Sequence, residues 1–195
     1  MSPAADHRYR LPGGLPSRLR SLRPSCGPVR LVGVDGHAGS GKSTLARVLA
    51  AELGNAPVVH LDDLASHDAL FGWTGRLSEQ VLRPLGRGER AVYEVYDWHR
   101  GMFGTTEVLE PAPVVLVEGV GAGRRAVRRY LALLIWVDVP REEAWERGRR
   151  RDGPELSAFW RRWQEAERRH FAGDPSRPEA DILLRPTGAG YRECV

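Results

Sequence analysis

Gly36-His37-Ala38-Gly39-Ser40-Gly41-Lys42-Ser43 is the stretch that decides the fold. It satisfies G-x-x-x-x-G-K-[ST] in full. The run before it, Val29-Arg-Leu-Val-Gly-Val-Asp35, is apolar enough for a buried strand, and residues 42–53 after it carry a helical pattern that closes at Gly54. Strand, glycine-rich turn and helix is the context in which this pattern cradles phosphate. The glycines let backbone N–H groups turn inward, and the following helix adds the positive end of its dipole. Gly36 through Thr44 are therefore the candidate nucleotide-binding residues. Lys42 is placed to reach the β- and γ-phosphates, Ser43 to offer its hydroxyl to Mg²⁺, and Thr44 to start the helix.

Composition isolates the same position. The chain has 29 basic residues, and Lys42 is its only lysine. A compact ammonium on a flexible stem reaches phosphate oxygens in a way that a planar guanidinium does not copy.

Outward from the loop, further short apolar runs predict strands at 57–61, 114–117, 133–137 and 180–184. Helical patterns lie between them at 78–83, 124–131, after Pro140 and at 155–171, and residues 107–113 read as a loop. The expected fold is a three-layer α/β/α P-loop NTPase domain with a mostly parallel five-stranded sheet and a short helical lid at about 147–172. Such sheets gather ligands outside the carboxyl ends of their strands. Asp35, the pair Asp62-Asp63 and Glu118 all fall at those ends. Glu118 is a candidate Mg²⁺ residue, directly or through water. Asp138 also ends a strand, but Val-Pro-Arg-Glu-Glu after it reads as a helix start that Asp138 would cap. If the strand continued through Asp62 and Asp63, their side chains would point in opposite directions and one of them would face the cleft.

At 195 residues and 42% hydrophobic content, one domain with a cleft is expected. Residues 1–28, rich in proline and arginine, read as a basic tail, and 29–195 as the folded P-loop domain. Arg8, Arg10, Arg18, Arg20 and Arg23 against Asp6 account for the whole net charge of +4. A polyanion would thus be attracted by the tail and not by the body, which argues against a nucleic-acid partner. No apolar stretch approaches the roughly 20 residues of a membrane span, and a secretory h-region is missing, so a cytoplasmic chain is expected. Cys26 and Cys194 have neither zinc spacing nor a disulfide framework around them. His37, His60, His67 and His170 show no ligand spacing and are read as structural or solvated. Trp160, Trp163 and Phe171 suit one buried helical face.

The ordered set Val34-Asp-Gly-His-Ala-Gly-Ser-Gly-Lys-Ser-Thr44, Leu61-Asp-Asp-Leu64, Tyr96-Asp97, Val115-Leu-Val-Glu-Gly119, Val137-Asp-Val-Pro140, Arg151-Asp152 and Ala180-Asp-Ile182 resembles the uridine kinase family of P-loop nucleoside kinases. The resemblance implies a kinase that moves the γ-phosphoryl group of ATP, with GTP left open, to a hydroxyl of a small substrate such as a uridine- or cytidine-like nucleoside. It makes Asp62 the base facing the acceptor hydroxyl, Asp97 a carboxylate for substrate hydroxyls such as a ribose diol, and Glu118 a neighbour of Mg²⁺. Arginines up to Arg151 would belong to the phosphate-closing lid. Trp98 and His99, beside Asp97, are candidate substrate contacts, since an aromatic face suits a flat base. The family's aromatic pair after the second-strand acid is replaced here by Leu64-Ala65, with Phe71 and Trp73 later. The acceptor thus stays open between a nucleoside and another alcohol, namely a sugar, a coenzyme precursor or an antibiotic-like compound. A nucleotide-dependent regulatory ATPase is the rival from another class. It is weakened by the lack of an Asn-Lys-x-Asp guanine-reading motif in a chain whose one lysine sits in the P-loop. A homo-oligomer is left open.

Overall fold

The structure is a computed structural model and describes residues 9–194. Its centre is the strand predicted before the glycine-rich turn, β1 (Arg30–Asp35), followed by α2 (Lys42–Glu52); α1 (Leu15–Ser21) precedes both. The chain then runs through β2 (Val58–His60), α3 (Leu61–Leu64), α4 (Thr74–Arg76), a π-helical turn at Leu77–Leu82 and α5 (Arg83–Gly86). An antiparallel hairpin follows, β3 (Ala91–Asp97) and β4 (Met102–Leu109). The remaining elements are β5 (Val114–Glu118), α6 (Arg125–Arg128), β6 (Leu131–Val137), α7 (Arg141–Asp152), α8 (Ser157–Gly173), β7 (Ile182–Thr187) and β8 (Gly190–Cys194).

Six strands form the main sheet in the order β2-β5-β1-β6-β7-β8, with every pair parallel except β7 with β8. The alternation of a strand sorts its side chains into two cores. Val32, Val34, Leu116 and Ile135 face α1 and α2, packing with Leu19, Leu45 and Leu49. Leu31, Val115 and Val117 face the opposite layer, packing with Leu64, Trp73, Leu77 and Tyr93. The result is the expected three-layer α/β/α arrangement around the glycine-rich turn, with a sixth strand beyond the five expected. That strand is short, carries Arg192 and Glu193 among its five residues, and lies at the sheet edge, so it has no apolar run to betray it.

Three other expectations change. The hairpin occupies residues 91–109, where no strand was predicted and 107–113 was read as loop; its buried positions Ala91, Tyr93 and Tyr96 alternate imperfectly because a bulge lies between Val95 and Tyr96. The helix expected over 124–131 shrinks to α6, because Leu131 already begins β6. Asp62 and Asp63 stand on the helical turn α3 and not on a continued strand, so strand alternation does not separate them.

Residues 9–28 are also not an appendage. Leu19 of α1 has no exposed surface and Leu15 is buried against the β1–α2 core. Burial of such a leucine contributes about 1.5–3 kcal/mol. Arg10 bridges to Gly190, Arg20 donates to the Glu52 carbonyl, and Cys26 is buried. The part of the tail reading that falls on residues 1–8 lies outside the described residues. No helix among the described residues is long and apolar enough to cross a membrane.

Candidate active site

Between the ends of β1, β2 and β5 lies a cleft of about 460 Å³, lined by Gly39, Gly41, Lys42, Ser43 and Thr44 on one side and by Asp62, Trp98 and Glu118 on another. α7 and α8 close it with Arg147, Arg151, Phe159, Trp160 and Trp163. Local sequence dictates the phosphate side. Gly39 and Gly41 have φ of 81° and 97°, which L side chains rarely adopt. Gly39 has a second reason: a Cβ there would lie 2.0 Å from the carbonyl oxygen of Ala144 in α7.

Lys42 is buried, 8% exposed, and its Nζ donates to the His37 carbonyl at 3.0 Å. Sheet register places Glu118 opposite Val34 of β1 and His60 of β2. Ser43 Oγ accordingly donates to Glu118 Oε1 at 2.9 Å, and His60 Nδ1 lies 2.6 Å from the same oxygen. Burial would raise the Glu118 pKa, but the His60 hydrogen bond and the Lys42 charge outweigh it, and the carboxyl is held below the usual range. A hydroxyl and an ionised carboxylate converging beside the phosphate loop are a donor set for a hard divalent cation that keeps some of its waters. Asp62 is solvent-exposed within the cleft. The surrounding protein, and then the charge of Glu118, push its pKa up. That makes it a better proton acceptor than an ordinary aspartate once ionised.

Asp63 is half-buried and does not line the cleft. Arg151 reaches the cleft while chelating its neighbour Asp152, Nε to Oδ1 at 2.6 Å and Nη2 to Oδ2 at 3.0 Å.

The expected substrate contacts do not all reach the cleft. Trp98 lines the cleft, its Nε1 donating to the Asp62 carbonyl at 3.1 Å. Asp97 and His99 stand outside it. Asp97 Oδ1 accepts the backbone N–H groups of His99 and Arg100, each at 2.9 Å, so the carboxylate closes the turn between β3 and β4. Those bonds, the one from Arg100 first, lower its pKa. An Asp that satisfies its own following amides is ordinary turn chemistry. Nor does Asp138 cap α7: it holds Arg177 Nε at 3.0 Å and Arg185 Nη2 at 2.6 Å.

Of the loop residues, Gly36, His37 and Ser40 do not line the cleft. Sequence placed Asp35 only at a strand end, read His60 as structural or solvated, and did not single out Glu167. Asp35, fully buried, accepts backbone N–H groups from Gly36, Gly121 and Gly123 at 2.7–2.9 Å, tying the loop to the segment after β5. His60 reaches Glu118 as described. Glu167 of α8 is also fully buried and meets His37 and Ala38. A signal for Glu167 did exist: a charge that falls on the same helical face as Trp160 and Trp163, at spacings of seven and four, belongs to a buried stripe.

The profile of the AAA domain family matches residues 32–169. Among solved structures, a possible uridine kinase from Bacillus stearothermophilus superposes with a TM-score of 0.65 at 18% identity, over 87% of this chain and 94% of that one. A fructose transport system kinase candidate from Silicibacter sp. TM1040 superposes with a TM-score of 0.51 at 23% identity, over 85% and 86%. At these identities the likeness is one of fold. No curated protein sequence is a significant match.

Proposed function

The chain belongs to the AAA domain family, and from that premise we propose that it is a phosphotransferase using ATP and Mg²⁺, with the hydroxyl of a small molecule as acceptor. The observation that carries the reading is the convergence of Lys42, Ser43, Glu118, Asp62 and Arg151 on one cleft. The two solved structures named above bear the names of kinases, which supports the same class of chemistry.

Phosphoryl transfer asks mainly for positioning and for positive charge at the equatorial oxygens. The loop amides and the Lys42 ammonium hold the β- and γ-phosphates. Ser43 and Glu118 would hold Mg²⁺, which when bound supplies neutralising charge to the phosphate oxygens. Asp62 takes the proton of the acceptor hydroxyl, or orients that oxygen, as it bonds to the γ-phosphorus and the bond to the β–γ bridging oxygen breaks, with ADP leaving. Arg151 and Arg147 lend charge from the lid side, and Trp98, Phe159 and Trp163 wall the acceptor from water.

Flat aromatic walls favour a nucleoside-like acceptor. The engagement of Asp97 in its own turn favours a second reading, an alcohol without a ribose diol. A screen of acceptor-dependent ADP formation across nucleosides, sugars and small alcohols, with identification of the phosphorylated product, separates the two. ATP hydrolysis indifferent to every acceptor would instead support a regulatory ATPase and overturn the kinase reading.

A further inference from the structure

Trp160, Trp163 and Glu167 are the buried residues of α8, and Glu167 is the one among them that carries a charge. A carboxylate with no exposed surface is costly unless its oxygens are filled. Here they are filled by three donors from two places. Glu167 Oε1 lies 2.7 Å from His37 Nδ1, while Oε2 accepts the Ala38 backbone N–H at 3.3 Å and Trp163 Nε1 at 2.8 Å. Burial alone would raise its pKa, but the His37 contact outweighs that and keeps it ionised below the usual range.

The two ends of this contact matter differently. His37 is wedged edge-on between Trp136 and Phe171, with ring centroids at 5.2 and 5.3 Å, and its carbonyl is the acceptor that holds Lys42 Nζ. Trp163 forms part of the acceptor wall of the cleft. One side chain therefore fixes the first corner of the phosphate loop, through it the seat of the only lysine, and a face of the opposite wall. The Ala38 amide is taken by Glu167, which leaves the later amides of the loop for phosphate.

We propose that Glu167 is a positioning residue that sets the phosphate loop for nucleotide through His37 and Ala38 and links it to the acceptor wall through Trp163. The inference rests on the nucleotide-site reading of the cleft. If Glu167 merely held the fold together, its replacement would lower the melting temperature and the fraction of active protein but leave the affinity of the folded fraction unchanged.

The test measures binding of the Mg²⁺ complex of β,γ-imido-ATP by calorimetry, alongside thermal melting. Glu167→Gln keeps the shape but has one oxygen for the donors that now share two. It is expected to weaken nucleotide binding about tenfold, the size of one charge-assisted hydrogen bond lost. In a His37→Ala background, where the stronger of the two loop contacts is already gone and only the longer Ala38 bond remains, the same change should cost less than about threefold. Wild-type affinity in a folded Glu167→Gln protein, or an equal factor in both backgrounds, would overturn the inference. Glu167→Ala is expected to bind at least as weakly; should it fail to fold, the glutamine variant decides. Failure of the wild type to bind would remove the nucleotide site itself, and this inference with it, a result distinct from normal binding by the variant.

Discussion

The proposed phosphate end of the cleft comes from one continuous stretch within residues 38–44, whose backbone would do most of the binding. The acceptor end is assembled from side chains of α3, the hairpin turn, α7 and α8. The first needs only a strand, a few glycines with positive φ and a helix start, all local properties. The second exists only after distant segments have packed, and its wall is continuous only because Trp98 from the hairpin meets Phe159 from α8 edge-on, with ring centroids at 5.9 Å. Chemistry carried by backbone tolerates little change within one segment, whereas chemistry carried by side chains can shift its specificity one residue at a time.

The contrast is most exposed at its strongest point. Lys42→Ala should lower phosphoryl transfer by at least about 10³-fold, and Lys42→Arg should fail too, because a planar head does not fit the seat under the His37 carbonyl. A folded variant with near-normal turnover, measured by ADP release, would break the claim that the phosphate end is indispensable. At the other end, Asp62→Asn should reduce kcat by roughly 10²-fold or more with little change in nucleotide affinity, while Asp63→Asn should be milder. A larger loss at Asp63 would shift the acceptor end onto a different face of α3.

The phosphate end also leans on a segment that reads as disposable. Leu19→Ala should cost about 2–4 kcal/mol, seen as a lower denaturant midpoint, because α1 packs under β1 and α2. An unchanged midpoint would return residues 9–28 to the status of an appendage. Asp97→Asn, by contrast, should change kcat/KM less than about threefold, since the side-chain oxygen can still accept the turn amides. A loss of 10²-fold would bring Asp97 back into acceptor binding.

The smallest effect concerns pH. Burial, followed by the neighbouring Arg124, depresses the His170 pKa to about 4. An unfolded histidine titrates near 6.5, so the unfolded chain takes up a proton that the folded one refuses, and stability falls as pH drops from about 6.5 towards 4. His170→Gln should flatten that decline in melting temperature. An identical slope in both proteins would mean that other groups set the acid limit.

Much of this was open to sequence reading, for identifiable reasons. The central parallel strands β1, β5 and β6 are largely buried apolar runs, β2 and β7 open on shorter ones, and the phosphate loop is a contiguous pattern. The hairpin was missed because Val92 and Val108 face solvent and the bulge after Val95 spoils its period, so Tyr93 and Tyr96 did not stand out as one face of a strand. Asp97 was misplaced for a physical reason as well: its neighbour Trp98 does reach the cleft, but a turn sends adjacent side chains apart. Glu167 escaped because helical charge is usually solvated, and nothing in α8 alone shows that the loop's first corner will arrive beside it.

The contact between Gly39 and α7 continues one layer outward, where a Cβ on Gly148 would lie 2.3 Å from the Trp160 ring. In terms of mutational tolerance, the loop, α7 and α8 behave as a stack with no slack. A methyl added at Gly39 meets the α7 backbone and has to be absorbed by displacing that helix, whereas one at Gly148 meets the buried Trp160 ring, which would have to shift. Gly39 and Gly148, far apart in the chain, are therefore one locus for any engineering of this protein, and substitutions meant to widen its acceptor range belong on the hairpin side of the cleft.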